Sequence, residues 1–309
     1  MRTSSGRPVA GTDSALPAPR GAAALVFAAR RVGLGLTSRL APGLARRWAT
    51  HLFCTPPRHP HPPVEQAWLA RARTVDVRGR HGRIAAWRWA APGSADGEGA
   101  PRVLLMHGWG GRGTQLHAFI QPLLDAGFDV VALDAPAHGF SEHRYASMLH
   151  FAQAARAVAA AVGGVQAVIA HSLGGAATSY ALTQGWIAPA AVVTVAAPTD
   201  FDAYSRYFAR QLNVSERVRD AMQRHLERRL GVAWKDLEGG ALAARQVIPA
   251  LIVHDRDDRE VPFAAGERLA AHWSGARLLA TEELGHRRIL RDPAVIGPAV
   301  DFVRAHARG

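Results

Sequence analysis

Two rhythms of hydrophobic positions divide the chain. Beyond residue 74, short apolar runs at 103–106, 130–133, 165–169, 191–195, 250–253 and 277–279 alternate with longer amphipathic stretches. Runs of that length predict strands buried on both faces, and their alternation with helices predicts a mostly parallel sheet covered on both sides. Segments 74–77 and 83–89 predict an antiparallel hairpin pair ahead of them, followed by a Gly/Ser/Ala loop over 92–100. Before residue 64 the pattern changes. Val32, Leu36, Leu40, Leu44, Trp48 and Leu52 fall four apart, and Gly33, Gly35 and Pro42-Gly43 interrupt them, which predicts two short helices rather than one. Residues 56–63 are proline-rich and predict a stiff extended connector, while residues 1–20 have no apolar period and predict a mobile tail. The expected organisation is a tail over 1–20, a basic helical arm and connector over 21–63, and one α/β domain over 64–309.

The strand–helix rhythm breaks between 197 and 245. Phe201, Tyr204 and Phe208 form one apolar stripe there, and Val218, Met222, Leu226 and Leu230 a second on a charged helix. An insertion at that point of a parallel sheet lies over the strand ends, so 198–245 is expected to form a helical lid. The three aromatics then either line an apolar substrate pocket or belong to the lid's own core.

Charge changes the picture less than its size suggests. The chain of 309 residues is 48% apolar, enough for one large core, and carries a formal net charge of +12. Residues 1–60 hold nine arginines against Asp13 alone, or +8, so the rest of the chain carries only +4 (12 − 8). No zinc-ligand spacing, RNA-binding aromatic signature or helix-turn-helix pattern accompanies the arginines, which argues against nucleic acid as a partner. Arg30, Arg31, Arg39, Arg46 and Arg47 leave two readings of the arm: packed on the α/β domain, or making peripheral contact with an anionic membrane. No run of 18 apolar residues predicts a membrane span, and Arg30-Arg31 makes 22–29 a poor secretory signal. Cys54, the single cysteine, has no intramolecular partner and fits a reducing, cytoplasmic compartment, with a disulfide-free secreted protein as the alternative. His59 and His61 lie in a proline run without further ligands, so no metal is expected.

Candidate chemistry centres on Ala170-His171-Ser172-Leu173-Gly174. A strand turning sharply into a helix through small residues lifts the central serine clear of the backbone as a nucleophile; a helix N-cap serine is the competing reading. His286, after Leu284-Gly285 and the last strand, is the candidate general base, since a neutral imidazole can take the serine proton and return it. The acid that orients it is Asp258, with Asp255 and Asp257 as alternatives after the same strand. Of the other histidines, His171 is expected to point away from Ser172 and His107 to brace its own loop. Two backbone N–H groups are needed for the oxyanion, and Leu173 and Trp109 are positioned to supply them. The Gly108-to-Gly111 run lacks the Lys-Ser/Thr ending of a phosphate loop.

With these motifs the sequence resembles the α/β-hydrolase superfamily from about residue 74 to 304. His107-Gly108-Trp109-Gly110 is similar to its oxyanion loop. Residues 134–141 resemble its Asp-x-x-Gly-x-Gly-x-Ser turn, with Ala137 in place of the first glycine. Ala170 to Gly174 resembles the nucleophile elbow, again with alanine for the first glycine. The resemblance implies an eight-stranded, mostly parallel sheet, a cap, and a cofactor-free Ser172–His286–Asp258 mechanism acting on a small-molecule ester or related acyl bond. It argues against dehalogenase and epoxide-hydrolase chemistry, where an aspartate stands in place of Ser172. Thioesterase and acyltransferase activities use the same parts, and a non-catalytic, membrane-associated binding protein is the rival from another class.

Overall fold

In the computed structural model, which describes residues 21–94 and 100–307, eight strands form one sheet. The tail expected over 1–20 lies outside the described residues. The strands are β1 (Arg73–Gly79), β2 (Gly82–Trp89), β3 (Arg102–Met106), β4 (Asp129–Leu133), β5 (Ala167–His171), β6 (Ala191–Val195), β7 (Ala250–Asp255) and β8 (Ala276–Thr281). Their order is β1-β2-β4-β3-β5-β6-β7-β8. The pairings of β2 with β1 and β4 are antiparallel, and all later ones are parallel. The expected mostly parallel, eight-stranded α/β sheet is therefore present.

Period-two alternation explains the layering. Leu104, Met106, Val131, Leu133, Val168 and Ala170 face one apolar cluster, and Val103, Leu105, Val130, Ala132, Ala167 and Ile169 face the other. The helices are α1 (Ala22–Leu40), α2 (Pro42–Cys54), α3 (Pro63–Ala70), α4 (Ile120–Asp125), α5 (Met148–Ala161), α6 (Leu173–Thr183), α7 (Phe201–Gln211), α8 (Glu216–Leu230), α9 (Gly239–Ala243), α10 (Ala264–His272), α11 (Gly285–Arg288) and α12 (Pro293–His306). Helices α2, α5, α6 and α8 feed the first cluster, and α4 and α12 the second.

Two elements differ from expectation. Strand β5 runs two residues later than 165–169, after a turn through Gly163 and Gly164 at φ 73° and 101°. It therefore ends on His171, directly before Ser172. Helix α1 continues through Gly33 and Gly35 and breaks only at Pro42. The glycines are contact points: a Cβ on Gly33 would meet the Trp48 ring at 2.7 Å, and one on Gly35 would collide with the Asn213 side chain. Helices α7 to α9 fill the interval between β6 and β7, and the arm packs on them through α2 against α8. Arg31 donates to the Arg210 and Gln211 carbonyls at the end of α7. The connector is pinned as well. Arg58 donates to the carbonyls of Ala137, Gly139, Ser141 and His143, four acceptors of one loop.

Candidate active site

Ser172 sits between β5 and α6 with φ 52° and ψ −124°, backbone space that a non-glycine residue occupies only under constraint. The constraint is visible. Ser172 N–H donates to the Val195 carbonyl at 2.8 Å, and the Ser172 carbonyl accepts from Gly175 N–H at 2.8 Å. A Cβ on Gly174 would stand 2.5 Å from the His107 carbonyl oxygen, so only glycine lets α6 start this close to the end of β3. Ser172 occupies the N-cap position, yet its side chain makes no capping bond, which removes the competing reading. Ser172 lines a cavity of about 970 Å³ walled in part by α7 and α8, and His286, Trp109 and Leu173 line the same cavity. Among the described residues no hydrogen bond joins Ser172 Oγ to His286.

Asp258 meets His286: its Oδ2 accepts from His286 Nδ1 at 2.8 Å, and both side chains are buried. With Nδ1 donating there, Nε2 is left with its lone pair. The other Asp258 oxygen accepts from the N–H groups of Glu260 and Val261 at 2.8 and 2.9 Å. Asp255 does something else. It accepts from Thr281 Oγ1 and from the N–H groups of Asp257, Leu284 and Gly285, tying the acid loop to the histidine loop. Burial alone would raise its carboxyl, but the Thr281 hydroxyl and these N–H groups outweigh that and hold it below the usual carboxylate range. Asp257 reaches only the Glu283 N–H.

A depressed carboxylate stabilises the fold above its unfolded value of about 3.9, and that stability is lost as pH falls through the folded value. Asp255→Asn is therefore expected to cost about 2–3 kcal/mol at neutral pH, the scale of hydrogen bonds to a charged acceptor. Urea denaturation at neutral pH and below about pH 3.9 checks this: a deficit that does not shrink in acid would show that Asp255 is not held ionised by these donors.

Two histidines build the loop after β3. His107 Nδ1 donates to the Gly108 carbonyl at 2.6 Å while Nε2 accepts from Ala135 N–H at 2.9 Å. His138 Nδ1 donates to the Pro136 carbonyl, and its Nε2 accepts from Gly110 N–H, both at 3.0 Å. Trp109 lies between these two anchored residues. Neither its N–H nor that of Leu173 has an acceptor among the described residues. Ala137 stands at φ 68°, the left-handed conformation that explains why a glycine belongs at this point of the turn.

Sequence reasoning missed a third histidine. His171 is buried and does not merely turn away from Ser172. Its Nε2 donates to the His286 carbonyl at 2.9 Å, with the two rings 4.7 Å apart. It thus positions the His286 backbone from across the sheet edge. The only sequence signal was a histidine beside the elbow serine, and its partner is 115 residues away.

Of the three lid aromatics, Phe201 and Tyr204 line the cavity, together with Tyr207, Trp234 and, from the arm, Phe53. Phe208 is a correction to the expected substrate pocket. It is not among the lining residues and instead packs edge-on against Phe53, with ring centroids 5.1 Å apart. It shares a helix face with Tyr204 one turn earlier on α7, and at its level Phe53 of the arm packs against it. Cys54 also reaches the wall, but burial pushes its thiol up to about 11, so it stays protonated and is no rival nucleophile.

Among the described residues, one group of side chains has metal-ligating geometry. His81, His143 and His150 bring ring nitrogens within 4.8 Å of one another. Burial lowers all three, with His150 at about 4, and the Arg229 guanidinium adds to this in each case. Neutral imidazoles suit a late transition ion, but the same guanidinium opposes a dication, and no carboxylate belongs to the group. His59 and His61 take no part in it. His61 stacks on Phe140, and His59 lies on the cavity wall.

A family model for the alpha/beta hydrolase fold matches residues 101–216, from β3 to the start of α8. No curated protein matches the sequence. Among solved structures, an esterase from Pyrococcus furiosus superposes with a TM-score of 0.59 at 15% identity, covering 82% of this chain and 99% of that one. A monoacylglycerol lipase from Paleococcus ferrophilus gives 0.55 at 21% identity, over 72% and 99% of the two chains. A bromoperoxidase from Bacillus anthracis gives 0.57 at 15%, over 75% and 99%. Identities this low speak for the fold and not for a substrate. Its sheet order, the matched segment and these superpositions show that the chain has the α/β-hydrolase fold.

Proposed function

We propose that the protein is a serine hydrolase that cleaves a carboxylic ester or related acyl bond. The observation that carries this reading is the pairing of an uncapped, conformationally forced serine with an Asp258-bonded histidine on the wall of one cavity. In the proposed reaction His286 Nε2 takes the Ser172 proton as Oγ attacks the acyl carbonyl. Asp258 holds the imidazole and stabilises its charged form. The N–H groups of Trp109 and Leu173 stabilise the oxyanion, Leu173 with the help of the α6 dipole. His286 then protonates the leaving alcohol, and water repeats the cycle on the acyl-enzyme. The serine–histidine bond forms with substrate bound, since such bonds are often long in the free enzyme. These steps call on no metal or organic cofactor.

The esterases and the monoacylglycerol lipase that share the fold are in keeping with acyl chemistry. Phe201, Tyr204 and Phe53 give the cavity an apolar side that suits an acyl chain. A thioester would be attacked by the same atoms, and an acyltransferase would differ only in excluding water from the second step.

Labelling with a fluorophosphonate probe tests the reading. Modification should map to Ser172 and vanish in Ser172→Ala. A folded protein that takes up no label, or takes it elsewhere, sinks the proposal in favour of a binding protein on the same scaffold.

A further inference from the structure

Helix α1 has two apolar faces, and the described residues cover only one. Leu34 is fully buried, and Phe27 packs with it against the core. On the opposite side Leu25, Val32, Leu36 and Leu40 follow at intervals of seven, four and four, which puts them on one face of the helix. They are 74%, 60%, 54% and 82% exposed, and Leu44 at the start of α2 extends the stripe. A water-facing helix does not need such a stripe, and a contiguous one marks a contact surface. Arg30, Arg39 and Arg47 are exposed around it. Residues 21–64 contain six arginines and no aspartate or glutamate.

We infer that the outer face of α1 docks on an anionic lipid bilayer, with the helix lying in the plane of the interface. Its 19 residues span about 28 Å at 1.5 Å each, long enough to hold four large apolar side chains at one depth. No helix among the described residues is long and apolar enough to cross a membrane, so the contact is peripheral. Charge selects this occupant. A second copy of the chain would bring six arginines against six with no acid between them. Residues 1–20 carry Arg2, Arg7 and Arg20 against Asp13, the same sign as the face they would have to cover, and offer only Met1, Val9 and Leu16 as bulky apolar groups. A surface of lipid phosphates supplies both what the arginines attract and what the leucines and valine enter.

The arm also ends inside the cavity wall, through Phe53, Cys54 and Pro57. Resting on the reading of Ser172 as nucleophile, this makes the substrate class an acyl ester resident in the membrane, delivered at the surface where the arm sits.

The test is co-sedimentation of the full chain with phosphatidylcholine vesicles, with and without phosphatidylglycerol, at low and high salt. Binding should need phosphatidylglycerol, weaken with salt, and fall about tenfold or more in Leu36→Glu/Leu40→Glu. Arg30→Gln/Arg39→Gln should weaken it by several-fold without touching the apolar stripe. Both variants should keep wild-type turnover of a water-soluble nitrophenyl ester, which also certifies their folding, and lose turnover of a long-chain ester dispersed in the vesicles. If vesicle binding is absent in the wild type, or survives in both variants, docking is refuted. A concentration-dependent dimer, or capture of an acidic protein, that the same variants abolish would assign the face to that partner instead. Failure of soluble turnover with intact, variant-sensitive vesicle binding would refute the hydrolase reading alone.

Discussion

Ser172→Ala is expected to lower kcat on an aryl ester by about 10⁴- to 10⁶-fold, with KM changed little. The size follows from the role proposed for the hydroxyl, since what remains is only binding and the oxyanion donors of Trp109 and Leu173. The variant should also fold as well as the wild type. The hydroxyl caps no helix, and alanine tolerates φ 52° no worse than serine does. A large rate loss at unchanged thermal midpoint therefore separates catalysis from stability. Adding His286→Ala to Ser172→Ala should cost almost nothing more, because groups that act as one unit are lost together. A loss of less than about tenfold in the single variant, or additive losses in the double, would remove Ser172 from the reaction.

Acid is expected to unfold this protein over an unusually high pH range. His107, His138 and His171 are buried, and burial above all keeps each neutral: His138 falls to about 4, while His107 and His171 lie well below their ordinary value. The unfolded chain protonates them near pH 6.5. Above that value neither state is charged and their contribution is complete. Below it the unfolded state binds protons that the folded state refuses, so stability falls by about 1.4 kcal/mol per pH unit for each such histidine. For His138 the loss continues down to about pH 4 and sums to about 3 kcal/mol. Set against a typical net stability of about 5–15 kcal/mol, three such groups remove much of the margin. Urea midpoints between pH 7 and 5 would measure it, and His138→Phe should flatten the slope. A wild type whose midpoint is level across that range would mean these rings take up protons in place.

Much of this was legible in the sequence, and the parts that were not have definite reasons. Strands buried on both faces announce themselves as apolar runs, and the elbow does so through Gly174 and Gly175 after Ser172. Asp258 could be preferred over Asp255 but not separated from it, because what distinguishes them is a set of backbone N–H groups around residue 284 that no local pattern encodes. Gly33 and Gly35 read as helix breaks because the composition of a segment does not reveal whether a missing Cβ is spent on flexibility or on admitting Trp48 and Asn213. Phe208 shares the periodicity of Phe201 and Tyr204, yet it turns to Phe53 of the arm, and contacts between distant segments leave no trace in spacing. The same holds for His171 and the His286 carbonyl.

Arg58 carries a consequence for where this chain can be shortened. Its guanidinium gathers four carbonyls from the loop that also contains His138, and His138 in turn holds Gly110 beside Trp109. A start site or a protease cut just beyond residue 58 would strand those carbonyls and loosen the loop that carries Trp109. The proline-rich stretch that resembles a dispensable linker is therefore a working part of the domain's architecture, well upstream of the first strand.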